Sequence, residues 1–259
     1  QATYQAERAI LSHPAIAGFS RLQILSFNRL QFRLAGHGTA GTDISRTGKQ
    51  MILQKLLLDA ADDLSLFGSR QPHSGLAASL AELMADLQRA ECAPEQVRAL
   101  ATELAAAAGQ ELAAAKWGDI AALYGDYLQF FETHAGTFIN PDGRLAAAAR
   151  RVPEAGFLHG ATVWVDGFSG FSVQERNLLI ALLKVCRTAQ IALCLDPRRI
   201  DLENTDEEQL DAFSLFSATE QTYTELLGIF RRLKFPSRPP VILQTPRRFE
   251  QAPPLASIE

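Results

Sequence analysis

The sequence predicts an α/β fold in which an all-helical subdomain is inserted into a parallel-sheet domain. Three observations point there. An apolar run, Leu22–Leu25, feeds through Ser26 directly into a helical pattern reaching Leu34, the strand-to-helix succession of an α/β layer. Between about Ser45 and Ala149 no strand pattern is visible and apolar residues recur at helical spacing. At Ala161 the α/β texture returns, with Ala161–Val165 and Gln190–Leu195 reading as buried strands on either side of a helix. The predicted division is 1–42 together with 155–259 for the discontinuous α/β domain, and 43–154 for the inserted helices.

In chain order, Tyr4, Ala6, Ala9, Ile10 and Leu11 predict a first helix, which His13-Pro14 ends because a residue before proline avoids helical dihedrals. Ser26 is the expected N-cap of the helix to Leu34, and Gly36, Gly38 and Gly41 mark a loop. Five helices are expected next, around Met51–Leu58, Leu76–Leu87, Val97–Leu104, Ile120–Phe131 and Leu145–Val152. Ser172 is placed to cap a helix over Val173–Lys184. Asp201–Asp211 reads as a solvated acidic loop, Thr219–Leu233 as a helix and Val241–Leu243 as a late strand.

The 259 residues are 47% hydrophobic and 21% charged, enough to bury a large core and too apolar for a disordered chain. The net charge of −4 argues against a uniformly basic nucleic-acid binder, but the charge is unevenly spread. Cys92, Cys186 and Cys194 are widely spaced, so neither a disulfide framework nor a metal site is indicated; they are expected to be small buried hydrophobes in a reducing cytoplasm. No apolar run reaches the ~18 residues a membrane span requires. The first residue is Gln1 and a helical pattern follows at once, so the start reads as a cut through a larger protein.

Three segments bear on chemistry. Gly48-Lys49-Gln50 is the one Gly-Lys pair; it lacks the hydroxyl residue and glycine spacing of a phosphate-binding loop and reads as a helix N-terminus. Val163-Trp164-Val165-Asp166-Gly167-Phe168 delivers an acid at the end of an apolar strand, as a Walker B element presents its Mg²⁺-coordinating aspartate. Active superfamily-1 helicases carry a glutamate next, whereas Gly167 has no group to accept a proton; an ordinary strand-to-turn Asp-Gly is the alternative. Finally, no Asp or Glu occurs from Ile10 to Thr42, while Arg21, Arg29, Arg33 and His37 interleave with Phe19, Phe27 and Phe32. Arginines pair with phosphates or base edges and aromatic rings stack on unpaired bases, although core phenylalanines with surface arginines would give the same pattern.

Taken together, the segments resemble one family. Leu25-Ser26-Phe27-Asn28-Arg29-Leu30 with Phe32-Arg33 resembles the motif after the second strand of UvrD-like helicases, and more closely the AddB version Phe-Ser-Phe-Ser-Arg-Leu-Ala-Trp-Arg. Thr47–Leu53 is similar to the opening of the AddB helical insertion. Val165–Ser172 with Gln174-Glu175 resembles its Val-Asp-Gly-Phe element, and Phe216, Thr219, Thr222 and Tyr223 resemble its Phe-x-x-Thr-x-x-Thr-Tyr. Gln1–Tyr4 with Glu7 resembles the element after its first strand.

The resemblance implies a RecA-like (UvrD-type) domain that has lost its ATPase chemistry, with Asp166-Gly167 a degenerate Walker B. It implies single-stranded DNA and an AddA-like motor subunit as partners in the processing of double-strand breaks, the helicase-like part scanning the emerging strand for the Chi sequence. The positions that would contact Chi are Gln1, Thr3, Phe27, Arg29, Phe32 and Phe168; Phe32 stands where one family version has Trp, keeping the ring but not its N–H. The family's ATP, Mg²⁺, nuclease residues and 4Fe–4S cluster are expected outside these residues, so the chain itself is expected to carry no cofactor and no activity. A piece of an active superfamily-1 helicase and a structural domain that docks the motor subunit are the competing readings.

Overall fold

The computed structural model describes residues 2–35, 41–68, 74–202 and 210–243. Gln1, the loop glycines Gly36 and Gly38, and most of the acidic loop therefore lie outside the described residues. The chain divides into two compact units, Gln1–Thr162 with Ser172–Thr188, and Val163–Phe171 with Ala189–Glu259.

In the first unit, α1 (Ala2–Leu11) and α2 (Phe27–Ala35) precede β1 (Thr42–Asp43). The helices α3 (Arg46–Asp59), α4 (Ser74–Arg89), α5 (Pro94–Ala106) and α6 (Glu111–Thr133) follow, then β2 (Phe138–Ile139) and α7 (Arg144–Arg151). These match the expected helical periods, but β2 was not expected. It pairs parallel with β1, Thr42 opposite Phe138 and Asp43 opposite Ile139, so the two ends of the α3–α6 segment are joined side by side. A two-residue strand is too short to show period-two patterning, which is why the sequence hides it.

The α3–α6 segment has its own core. Leu53, Leu57, Met84, Ile120, Leu123, Tyr124 and Tyr127 are almost or fully excluded from solvent. At their edge, the Asp119 carboxylate is only 5% exposed and lies within the apolar stripe of α6. It accepts the backbone N–H groups of Ser65 (2.9 Å), Leu66 (2.7 Å) and Phe67 (2.9 Å), tying down the turn that ends α3. A buried carboxylate is tolerated there because three donors replace its water. The Tyr124 hydroxyl donates to the Cys92 carbonyl at 3.0 Å, and burial, aided by Cys92, pushes its pKa up to about 12. Tyr127 is raised further, by burial first and then by Asp142 and Tyr124, and its buried hydroxyl has no partner among the described residues.

Gly48-Lys49 lies in the first turn of α3, where Ser45 Oγ accepts the Gly48 N–H at 3.1 Å, in agreement with the helix-N-terminus reading. Lys49 is committed to an ion pair with Asp142, the two side chains 12% and 19% exposed.

A second core joins α2, α7 and α8 (Val173–Val185) through Leu30, Leu34, Ala148, Val152, Leu158, Leu178 and Leu182. Helix α8 begins as expected at Ser172, whose Oγ accepts the Glu175 N–H while Glu175 Oε2 accepts the Ser172 N–H, a reciprocal cap. Gln174, 4% exposed, donates to the Gln88 and Asp142 carbonyls, both at 2.7 Å, and so fastens α8 to α4 and to the turn before α7.

The second unit holds most of β3 (Thr162–Val165) and of β4 (Thr188–Ile191), and all of α9 (Ser217–Leu233). The two strands are hydrogen-bonded neighbours. The bonds from Arg187 N to Ala161 O and from Ala192 N to Val165 O advance in the same direction, so the pair is parallel. Strand β4 starts and ends earlier than the expected Gln190–Leu195. Neither Leu22–Leu25 nor Val241–Leu243 pairs with a strand among the described residues; each has the apolar composition of a strand without a hydrogen-bonding neighbour. Cys194 is exposed rather than buried, and Cys92 and Cys186 are half-buried, with burial raising the Cys186 thiol. Among the described residues no helix is long and apolar enough to cross a membrane, and no cluster of His, Cys, Asp or Glu could hold a metal ion.

Two stability measurements test this packing. Asp119→Ala strips three buried N–H groups of their acceptor and is expected to lower the unfolding free energy by about 3 kcal/mol in urea denaturation followed by circular dichroism. A loss under about 0.5 kcal/mol, the size of an ordinary surface change, would contradict the role. Tyr127→Phe removes an unpartnered hydroxyl and is expected to leave stability unchanged or raise it by up to about 1 kcal/mol; a clear loss in the same assay would mean that the hydroxyl is hydrogen-bonded.

Candidate nucleic-acid interface

Helix α2 starts at Phe27 because Ser26 Oγ accepts the Arg29 N–H at 3.3 Å and the Ser26 carbonyl accepts the Leu30 N–H at 2.9 Å. Its apolar stripe, Leu30 and Leu34, is buried. Helical spacing then decides where the neighbours point. Arg29, Phe32 and Arg33 line one open groove of about 520 Å³ together with Glu7 of α1, Phe19 and the extended segment Leu22–Leu25. Both arginines are exposed and Phe32 is 55% exposed.

Of the expected contact residues, the structure thus brings Arg29 and Phe32 into one groove. Phe27 is half-buried and packs against the Leu30–Leu34 core. Thr3 sits half-buried on α1 and is not among the residues lining the groove. Gln1 lies outside the described residues. Phe168 belongs to the second unit.

Two aromatic–arginine contacts were not foreseen. The Arg144 guanidinium, from the start of α7, lies over the Phe32 ring with Cζ 4.7 Å from its centre, and Arg33 lies 4.6 Å over the Phe157 ring. Arg144 also pairs with Asp43 of β1, and Arg151 Nη1 donates to the Ala35 carbonyl at 2.6 Å, closing the end of α2 against the end of α7. The sequence signal was slight: an alanine-rich helix with arginines at both ends.

In the second unit, β3 ends at Asp166-Gly167-Phe168. Asp166 is exposed, Gly167 turns the chain at φ +81°, and Phe168 stacks on Phe171 with ring centres 5.1 Å apart. The Thr222 hydroxyl, 2.9 Å from the Ser169 carbonyl and 2.8 Å from that of Ala218, holds this loop to α9. Thr219 donates to the Phe216 carbonyl (3.1 Å) and Tyr223 to the Leu202 carbonyl (2.5 Å). Glu220, buried in the first turn of α9, accepts the Ser214 hydroxyl at 2.9 Å. The residues shared with the Phe-x-x-Thr-x-x-Thr-Tyr pattern are thus largely architectural.

A cavity of about 440 Å³ opens at the carboxyl ends of β3 and β4 between Asp166–Ser169, Ala192–Cys194, Phe216 and Thr219. Its lining offers one carboxylate and no cationic side chain, so these residues by themselves do not suit a nucleotide triphosphate and its Mg²⁺. The left-handed backbone at Gly167 is one that a side-chain-bearing residue rarely adopts, so the glycine serves the turn.

Comparison with known proteins agrees with the motifs. The family model described as "ADDB, N-terminal" matches residues 1–259. Proteins named as the B subunit of an ATP-dependent helicase/deoxyribonuclease are similar to the chain. The one from Heliobacterium modesticaldum is 38% identical over 231 residues, covering 88% of this chain and 18% of that protein. Those from Desulforudis audaxviator and Symbiobacterium thermophilum are 36% and 35% identical, each covering 100% of this chain and 22% of the relative. The chain therefore spans about a fifth of the length of these relatives. Because the family model matches the chain from residue 1 to residue 259, the chain belongs to the AddB N-terminal family.

Proposed function

We propose that the chain is the helicase-like front part of a helicase–nuclease subunit, RecA-like in fold with the α3–α6 helices as an insertion, and that it binds and scans single-stranded DNA for a Chi-type sequence without hydrolysing ATP. The observation that carries this reading is the groove on the first unit. It presents two exposed arginines and a half-exposed aromatic ring along α2, within a stretch that has no acidic residue from Ile10 to Thr42. Guanidinium groups meet phosphates or base edges and the ring offers a stacking face, the combination that single strands require. Glu7 is the acidic side chain in the lining, and it leaves the arginines in excess.

Catalytic silence is supported by the second unit. The acid at the end of β3 is followed by a glycine in left-handed conformation, so neither a proton acceptor nor a backbone suited to one stands there. The relatives are named as subunits of an ATP-dependent helicase/deoxyribonuclease. This supports a partner subunit, with ATP-driven unwinding and DNA cleavage in the assembled protein; a motor role for that partner and a place in the cytoplasm belong to the proposal.

Fluorescence anisotropy with a labelled single-stranded oligonucleotide at low salt is expected to show binding by the chain. Arg29→Ala should weaken it about tenfold or relax base preference, and unchanged affinity and preference would contradict the site. Gly167→Glu, which supplies the glutamate of an active helicase, is expected to produce no ATP hydrolysis. It should cost about 1–2 kcal/mol of stability, because φ +81° is strained for an L side chain. Hydrolysis appearing in a coupled phosphate assay would show that the glycine alone had silenced the site.

A further inference from the structure

Among the described residues, those assigned to single-strand binding by resemblance lie on α1, on α2 and in the loop after β3. We infer that Arg144, on α7, is a positioning residue for that site: it clamps the Phe32 ring so that the ring presents a fixed stacking surface to a base in the groove. The inference rests on the single-strand-binding reading of α2 and deepens it.

Three observations converge. The Arg144 guanidinium lies over the Phe32 ring, 4.7 Å from its centre. The same guanidinium is paired with Asp43, whose strand β1 is hydrogen-bonded to β2. The Arg144 side chain is 14% exposed, whereas Phe32 is 55% exposed and lines the groove. An arginine stacked on a ring, neutralised by a carboxylate and largely withdrawn from solvent is poorly placed to take a phosphate. It is well placed to hold the ring, because the ion pair with Asp43 anchors the guanidinium and the cation–π contact holds the ring against it.

An exposed phenylalanine otherwise moves among its side-chain rotamers, and ordering it on binding opposes association. Fixing it beforehand lowers that cost, and with one face covered by Arg144 the ring offers its other face to a base.

The clamp separates from a direct phosphate contact by salt dependence and by coupling. Binding of a labelled single-stranded oligonucleotide would be measured for the chain and for Arg144→Ala, Arg144→Lys, Phe32→Ala and the double variant Arg144→Ala/Phe32→Ala, each first checked for folding by circular dichroism. Phe32→Ala is expected to weaken binding about tenfold and Arg144→Ala about threefold. In the Arg144→Ala background Phe32→Ala should cost less than it does alone, because the two act as one unit. The slope of log affinity against log salt should be unchanged in Arg144→Ala. A slope reduced by about 0.7 would mean that Arg144 meets a phosphate itself and would overturn the clamp, as would full additivity of the two substitutions.

Without DNA, ¹⁹F NMR of the chain carrying 4-fluorophenylalanine at position 32 reads the clamp directly. Arg144→Ala should shift and narrow the resonance, with Arg144→Lys intermediate, and an unmoved resonance would refute the contact. If the resonance moves but Phe32→Ala binds DNA normally, the clamp stands as a contact while the single-strand reading of Phe32, and the role inferred from it, fails. If Arg144→Ala does not fold, Arg144→Gln, which removes the charge while keeping most of the side chain, carries the slope and the resonance instead.

Discussion

Burial of Leu30 and Leu34 against α7 and α8 fixes the rotation of α2 about its own axis, and the candidate site depends on that rotation. A helix has one roll angle, so once Leu30, Gln31 and Leu34 turn inward, Phe32 and Arg33 face elsewhere. Arg29, Phe32 and Arg33 are thereby carried into the groove, while Phe27 is drawn toward the core. The cap at Ser26 and the Arg151 bond to the Ala35 carbonyl hold the two ends of the same nine-residue helix.

The α3–α6 segment supports this arrangement by polar rather than apolar fastening. Gln174 reaches two carbonyls, at the end of α4 and in the turn before α7, and Lys49 of α3 pairs with Asp142 in that same turn. A buried amide with both partners in place holds its neighbours in one register, because any shift strands a donor away from water. The short β1–β2 pairing then places Asp43 where it meets Arg144. The path from α3–α6 to the groove therefore runs through named contacts: β1, Asp43, Arg144, Phe32.

Helices were legible in the sequence wherever an apolar stripe ran for two turns or more, as in α4, α6 and α9, and so were the caps Ser26 and Ser172, whose hydroxyls stand next to the first helical residue. Strands were harder. Strand β3 was legible at the position expected, but β2 is two residues long, and Leu22–Leu25 has strand composition without a neighbouring strand. Strand status belongs to a pair of segments, and one segment's composition cannot report it. At the site, Arg29 and Phe32 were legible because they lie three apart on one helix. Arg144 and Phe157 were not, since more than a hundred residues separate them from α2. Nothing in the sequence near Asp119 signals its burial, because the three N–H groups that make it tolerable come from a turn more than fifty residues away.

Every functional role assigned to α2 requires single-stranded DNA to lie along it. Photo-crosslinking of the chain to an oligonucleotide bearing 5-iododeoxyuridine, followed by mass spectrometry of the tryptic peptides, locates the strand without altering the protein. Adducts concentrated on the aromatic residues between Phe19 and Phe32, and competed away by unlabelled single strand, are the expected result. Adducts confined to α3–α6, with none on that segment, would contradict it.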